Sequence, residues 1–249
     1  MNFIKKLVIK IMEKNASILS DKLSKRLEHI ENQLNEIKYN DPRRPEYLFY
    51  KVCEVAQKKT IDYIYENMKN AICIVDYDEF LSYCVSKSRS NGDIFEFGVF
   101  SGYSINKFAC LSVSSNIYGF DSFEGLPEEW QGYHFFDFNR NGKLPNVQSN
   151  VTLIKGWFSD TLPVFLKVYK GEGIKLLHID CDLYSSTKDV FNELAKYITK
   201  DMIIIFDEYF NYPNFENHEL KAFHEFVQKQ RINYEYIAYC GERVAVKIL

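Results

Sequence analysis

The sequence predicts an α/β protein with a mostly parallel, Rossmann-like sheet, and three observations carry that prediction. From Asp93 onward, short apolar runs alternate with longer stretches of helical spacing, the pattern of strands joined by right-handed crossovers. Two of the runs, Leu176–Ile179 and Met202–Phe206, lie in near-continuous apolar stretches, as strands covered on both faces must. Both stop at carboxylates, Asp180-Cys181-Asp182 and Asp207-Glu208, so four acids reach one edge of one sheet. Ligands of open α/β sheets bind at that edge. Carboxylates crowded together are tolerated when a cation or a proton sits among them.

Taken in order, residues 1–40 hold no glycine or proline and stop at Asp41-Pro42. Ile9, Met12, Ala16, Leu19, Leu23, Leu27, Ile30, Leu34 and Ile37 recur in steps of three and four, a narrow apolar seam with a stutter at Leu19-Leu23-Leu27. This spacing predicts a coiled-coil arm that makes a homo-oligomer. A helix laid against its own domain, or a basic amphipathic end on a membrane surface, are the other readings. Residues 43–90 read as two or three helices, around Tyr47 to Ala56, Ile61 to Ala71 and Tyr77 to Ser88, capping the sheet, with Pro45 to Tyr50 as a lid segment.

Seven strands follow: Ile94–Phe97, Asn116–Phe120, Val151–Ile154, Leu176–Ile179, Met202–Phe206, Tyr234–Tyr239 and Val244–Leu249. Helices are expected at Ser101–Val113, Asp160–Tyr169, Ser185–Ile198 and Glu216–Gln230. Cys240-Gly241-Glu242-Arg243 is a turn signal that makes the last two strands a hairpin. A parallel sheet closed by such an antiparallel hairpin is the arrangement of class I methyltransferases. Glu124 to Asn150 is a long irregular insertion holding Trp130, Tyr133, His134, Phe135, Phe136 and Phe138, and reads as an active-site lid. The expected organisation is an arm over 1–40 and one domain over 41–249, with a helical cap over 41–92, a core over 93–249 and the lid within it.

Composition removes several classes. A length of 249 residues with 46% hydrophobic content supplies one core and an appendage, and a net charge of −3 leaves no footprint for nucleic acid. Cys53, Cys73, Cys84, Cys110, Cys181 and Cys240 are scattered without a CxxC pair or His/Cys spacing, which reads as free thiols of a reducing cytoplasm. No run approaches the ~18 apolar residues of a membrane span. Lys5, Lys6 and Lys10 interrupt the first apolar stretch too early for a signal peptide, so a cytoplasmic location is expected.

Glu96-Phe97-Gly98-Val99-Phe100-Ser101-Gly102 follows the first core strand, with glycines four apart rather than the GxGxxG of pyrophosphate binders. A nucleoside without phosphates needs close backbone approach and a carboxylate for its ribose. Asp121, one strand later, is placed for both ribose hydroxyls, while Glu96 orders the loop or meets the amino-acid end of S-adenosylmethionine. Ser104 and Ser122 join these candidate cofactor contacts, as does Asp180. In the loop Gly156-Trp157-Phe158-Ser159-Asp160, Trp157 is a candidate to stack on adenine. Ser159 or Asp160 either bonds its amino group or caps the next helix.

Four segments then carry a resemblance. Phe120-Asp121-Ser122-Phe123-Glu124-Gly125-Leu126-Pro127, Gly156 to Pro163, His178 to Thr187 and Phe206-Asp207-Glu208-Tyr209 occur in order and resemble the motifs of the macrocin O-methyltransferase family. Its relatives methylate sugars on macrocin, mycinamicin and novobiocin, and the likeness covers roughly Arg43 to Leu249. The resemblance implies S-adenosylmethionine and Mg²⁺ as cofactors, Asp180, Asp207 and Glu208 as metal ligands, and Asp180 as general base. The family pair is commonly Asp-Asp, so Glu208 is a departure whose longer side chain shifts the ion or meets it through water.

The chemistry is consistent with the residues themselves. An alcohol is a poor nucleophile while protonated, and a hard cation held by two or three carboxylates keeps positions for substrate oxygens. A carboxylate within reach removes the proton, and His134 is the alternative base. His178 reads as a satisfied core histidine, and His218 and His224 as surface residues of the last helix. The function expected is an O-methyltransferase acting on a sugar hydroxyl of a glycoconjugate or secondary metabolite. A catechol-type methyltransferase and a non-catalytic coiled-coil scaffold in carbohydrate assembly are the alternatives.

Overall fold

Eight strands form a single sheet in the order β1-β7-β8-β6-β5-β2-β3-β4. The strands are β1 (Ile72–Cys73), β2 (Asp93–Phe97), β3 (Ile117–Asp121), β4 (Val151–Lys155), β5 (Ile174–Ile179), β6 (Ile203–Phe206), β7 (Tyr234–Cys240) and β8 (Arg243–Ile248). The computed structural model describes residues 14, 17, 19–30, 40–130 and 138–249. The chain divides into two units, Met1–Glu54 and Val55–Leu249, and the sheet lies in the second.

The helices are α1 (Tyr47–Asn67), α2 (Tyr77–Lys87), α3 (Tyr103–Leu111), α4 (Phe158–Val168), α5 (Tyr184–Leu194) and α6 (Glu219–Gln230). Every strand pairs in parallel except β8, which runs antiparallel between β6 and β7. The expected parallel sheet and terminal hairpin are therefore present, with eight strands rather than seven. The additional strand, β1, is two residues long and extends the edge beside β7. Two residues carry no readable alternation, which is why the sequence pattern misses it.

The two helices expected around Tyr47 to Ala56 and Ile61 to Ala71 are one continuous helix, α1, that ends at Asn67. Nothing between them breaks the chain, since neither Gly nor Pro occurs from 47 to 71. In the first unit, residues 19–30 are helical. Leu19, Leu23, Leu27 and Ile30 of the expected coiled-coil seam are exposed there, while Ile9, Met12, Ala16, Leu34 and Ile37 lie outside the described residues. Pro45 to Tyr50 leads into the first turn of α1. No described helix is long and apolar enough to cross a membrane.

Strand alternation supplies a core on each face of the sheet. Phe97, Phe120, Leu177, Ile204 and Phe206 point to one side, where Leu162 of α4, Phe191 of α5 and Phe223 of α6 cover them. Ile94, Ile117, Leu176, Ile203 and Ile205 point to the other, against Phe80 and Leu81 of α2 and Ile105 and Phe108 of α3. Within the sheet Phe97 of β2 stacks on Phe120 of β3 at 4.7 Å, and Phe206 of β6 meets Phe223 of α6 across the layers at 4.9 Å. With both faces covered, the ends of β2, β3, β5 and β6 remain as the place for polar groups. Truncating Phe206, fully buried among Phe191, Tyr209 and Phe223, is expected to lower unfolding stability by about 3–5 kcal/mol. A urea midpoint unchanged in Phe206→Ala would contradict that packing.

Candidate active site

The first core turn is held by a glycine with no alternative. Gly98 has φ of 95°, and a Cβ there would lie 1.6 Å from the Asp180 carbonyl oxygen. Its N–H donates to Phe120 O, and Asp180 N–H donates to Phe97 O, so the ladder runs past the strand ends and seats the two loops together. Asp121 then pins the turn: Oδ2 accepts from Val99 N (2.8 Å) and Phe100 N (2.7 Å), and Oδ1 from Phe123 N (2.6 Å). A carboxylate has about four acceptor positions. Three are used inside the loop, so Asp121 organises the turn before it offers anything to a ribose.

A cavity of about 340 Å³ opens over these loops, lined by Gly98, Phe100, Asp121, Ser122, Trp157 and Ser159 on one side and by Asp180, Asp182, Asp207 and Glu208 on the other. Ser122 Oγ accepts from Glu124 N and donates to Gly125 O. Several candidates stand away from the cavity. Glu96 is fully buried and turned beneath it, accepting from Ser104 Oγ at 3.0 Å, so neither Glu96 nor Ser104 is among its lining residues. Gly102 lines a separate depression with Tyr103 and Lys107. Asp160 is exposed in the first turn of α4. Neither Ser159 nor Asp160 caps that helix, because it starts at Phe158 and its cap is Trp157, with no side-chain bond.

The four acids sort into two overlapping groups. Asp180, Asp182 and Glu208 can each bring an oxygen within 4.8 Å of the others, and so can Asp180 and Asp207 with a ring nitrogen of His178. Asp207 Oδ1 accepts from Arg243 Nε (2.8 Å) and Tyr77 OH (3.0 Å) and lies 3.5 Å from His178 Nε2, which leaves Oδ2 with no described partner. Burial pushes the Asp207 carboxyl up, but His178 and Arg243 outweigh it and hold it down at about 2. Its charge acts on the others. Burial and Asp207 push Asp182 up to about 7 and raise Asp180, while burial and Asp182 raise Glu208. Glu208 Oε2 is buried without a hydrogen-bond partner among the described residues. An oxygen-only group with an orphaned buried carboxylate oxygen fits a hard divalent cation.

Beneath the acids, His178 is fully buried, with Nδ1 3.3 Å from Glu96 Oε2. Burial alone would lower its basicity, yet Asp207 and Glu96 raise it to about 10. It is a core histidine, as its place in an apolar strand predicts, but only half satisfied: Nδ1 is paired with Glu96, while Nε2 is buried without a hydrogen-bond partner among the described residues, 3.5 Å from Asp207 Oδ1. It is also one of the positive charges that balance the site. His218 and His224 are not surface residues: His218 is buried near Trp130 and Tyr212, and His224 packs among Tyr63, Tyr209 and Tyr236. His134 lies outside the described residues. Of the insertion expected to form a lid, Phe138 lines the cavity and a bridge joins Glu124 to Asn139; residues 131–137 lie outside the described residues.

Comparison with known proteins places this geometry. Residues 95–209 match the family model described as a methyltransferase domain. The 8-demethyl-8-(2,3-dimethoxy-alpha-L-rhamnosyl)-tetracenomycin-C 4'-O-methyltransferase of Streptomyces olivaceus is 31% identical over 156 residues, 52% of this chain and 58% of that protein. The alignment thus spans less than two thirds of that relative. The structure of the O-methyltransferase NovP superposes with a TM-score of 0.52 at 22% identity, covering 68% of this chain and 78% of that one. CalS11, a calicheamicin methyltransferase, gives 0.53 at 21% identity, covering 87% and 90%. The fold is that of the α/β class I methyltransferases, and the match to the methyltransferase-domain model is confined to residues 95–209.

The raised carboxyls make a stability prediction. A carboxyl whose proton is held more tightly in the folded state stabilises the fold at low pH and loses that contribution as pH rises through the folded value. For Asp182 the contribution is complete below the ordinary 3.8 and gone above about 7. Without divalent cation, the melting temperature is expected to fall from about pH 4 to about pH 8, less steeply in Asp182→Asn. Identical slopes in the two proteins would rule out Asp182 as a contributor.

Proposed function

We propose that this chain, whose residues 95–209 match the methyltransferase-domain model, transfers the methyl group of S-adenosylmethionine to a sugar hydroxyl of a glycoconjugate or secondary metabolite, with Mg²⁺ at the acid cluster. The observation that carries the reading is one cavity with a nucleoside-type turn on one wall and, on the other, four carboxylates in two overlapping groups that share Asp180. The sugar acceptor is supported by the relative whose name states a rhamnosyl substrate.

In this reading Asp180, Glu208 and the free Oδ2 of Asp207 hold the ion, with Asp182 beside them as a ligand the motif comparison did not include. When bound, Mg²⁺ supplies Lewis acidity to the acceptor oxygen. Asp180 takes the hydroxyl proton as the oxygen–carbon bond forms and the carbon–sulfur bond breaks. Trp157, Phe158 and Phe100 offer apolar faces to the adenine or the sugar ring, and the Gly98 turn lets the backbone approach the nucleoside. Asp121 holds the turn and has one acceptor position left for a ribose hydroxyl. Glu96 and Ser104 act from beneath, on His178 and the α3 start, rather than by touching the cofactor.

Methyl transfer to a panel of deoxysugar glycosides is expected in the presence of Mg²⁺ and is expected to stop with EDTA. Turnover of catechols alone would move the acceptor class, and the absence of any S-adenosylmethionine binding in calorimetry would favour a scaffold. Asp180→Asn is expected to lower kcat by about a thousandfold, with smaller losses in Asp182→Asn and His134→Ala. A larger loss in Asp182→Asn with cation binding intact would reassign the base.

We further propose that residues 1–40 associate two or more copies, supported by the exposed Leu19, Leu23, Leu27 and Ile30 along residues 19–30. Leu23→Asp in the full chain is expected to shift sedimentation toward the monomer. An oligomer equally stable in that variant would refute the arm.

A further inference from the structure

Glu219 opens α6 and is fully buried, outside the cavity lining. Each of its carboxylate oxygens accepts a backbone N–H from a different acid-bearing loop. Oε1 accepts from Cys181, between Asp180 and Asp182, at 3.4 Å, and Oε2 accepts from Glu208 at 3.2 Å. The ladder between β5 and β6 ends just before this point: Ile179 pairs with Phe206, and Asp207 N–H donates to Ile179 O as the last rung. Past it the two loops have no rung in common, and Glu219 bridges them.

We propose that Glu219 is a positioning residue that fixes the spacing of the Asp180–Asp182 and Asp207–Glu208 loops and thereby sets the affinity of the site for a divalent cation. The inference rests on the cation reading above but assigns a residue that neither the motifs nor the comparisons assign. The bridge requires an acid rather than an amide. Two N–H donors from opposite sides need two acceptors, and glutamine offers one acceptor and one donor. A group that never touches the ion but orients its ligands changes affinity for the ion, whereas a residue serving only the fold would lower stability and leave that affinity alone.

The test uses Mn²⁺ as a paramagnetic probe in the full chain, with S-adenosylhomocysteine affinity measured separately by calorimetry. In Glu219→Gln, the Mn²⁺ Kd read by electron paramagnetic resonance is expected to rise about tenfold, with S-adenosylhomocysteine binding retained. Glu219→Ala, which frees both N–H groups, is expected to lose more. If the alanine variant does not fold, the glutamine variant carries the test alone. A folded Glu219→Gln protein that binds Mn²⁺ as tightly as the wild type overturns the positioning role while leaving the cation reading intact. Wild-type protein that binds no Mn²⁺ overturns both.

Discussion

Charge balance around Asp207 is the constraint on which the site depends. Its carboxyl is nine-tenths buried at a sheet edge already crowded with Asp180, Asp182 and Glu208, and it keeps its negative charge because His178, Arg243 and the Tyr77 hydroxyl surround one oxygen. That arrangement follows from topology. β8 is inserted antiparallel beside β6 with Val244 opposite Phe206, so Arg243 arrives next to Asp207. Glu96 lies opposite His178 in the β2–β5 pairing, so the imidazole sits between two carboxylates. The hairpin therefore completes the electrostatics of the acid edge as well as the sheet. Burial raises the proton affinity of Asp182 and Asp180, and a neighbouring charge held this firmly raises it further, while His178 and Arg243 hold Asp207 down.

Much of this was legible in the sequence because the signals were local. The runs Leu176–Ile179 and Met202–Phe206 announce strands and their terminal acids announce the edge; Gly98, expected to let the backbone approach a nucleoside, makes its observed close approach to the Asp180 carbonyl. The partners are where local reading stopped. Arg243 was part of a turn signal, Tyr77 the start of a helix and Glu219 one acid among several in the last helix. Each acquires its place only when strand order brings distant segments together, and spacing along the chain carries no trace of that. Asp160 went astray for a different reason: an acid before an apolar run looks like a cap, but α4 begins two residues earlier, with the backbone of Trp157 accepting the first bonds. His218 and His224 looked exposed because the last helix is mixed in polarity, and the aromatic groups that cover them come from Trp130, Tyr212, Tyr63 and Tyr236.

The two walls of the cavity are mechanically one object. A side chain at Gly98 would occupy the space of the Asp180 carbonyl, so the turn proposed to receive the nucleoside and the loop that carries the first acid meet backbone to backbone. Asp121 ties the same turn to β3, and Glu219 ties the same acid loop to Glu208. In-line displacement demands that donor and acceptor be held to a fraction of an ångström, because misplacement of about 1 Å is enough to lose about a hundredfold in rate. Backbone-to-backbone seating meets that demand better than a contact between long side chains, since no rotamer separates the two walls. The positions that matter for alignment are then those with the least freedom: a glycine that admits no Cβ, a carboxylate committed to three N–H groups, and a buried glutamate shared between two loops.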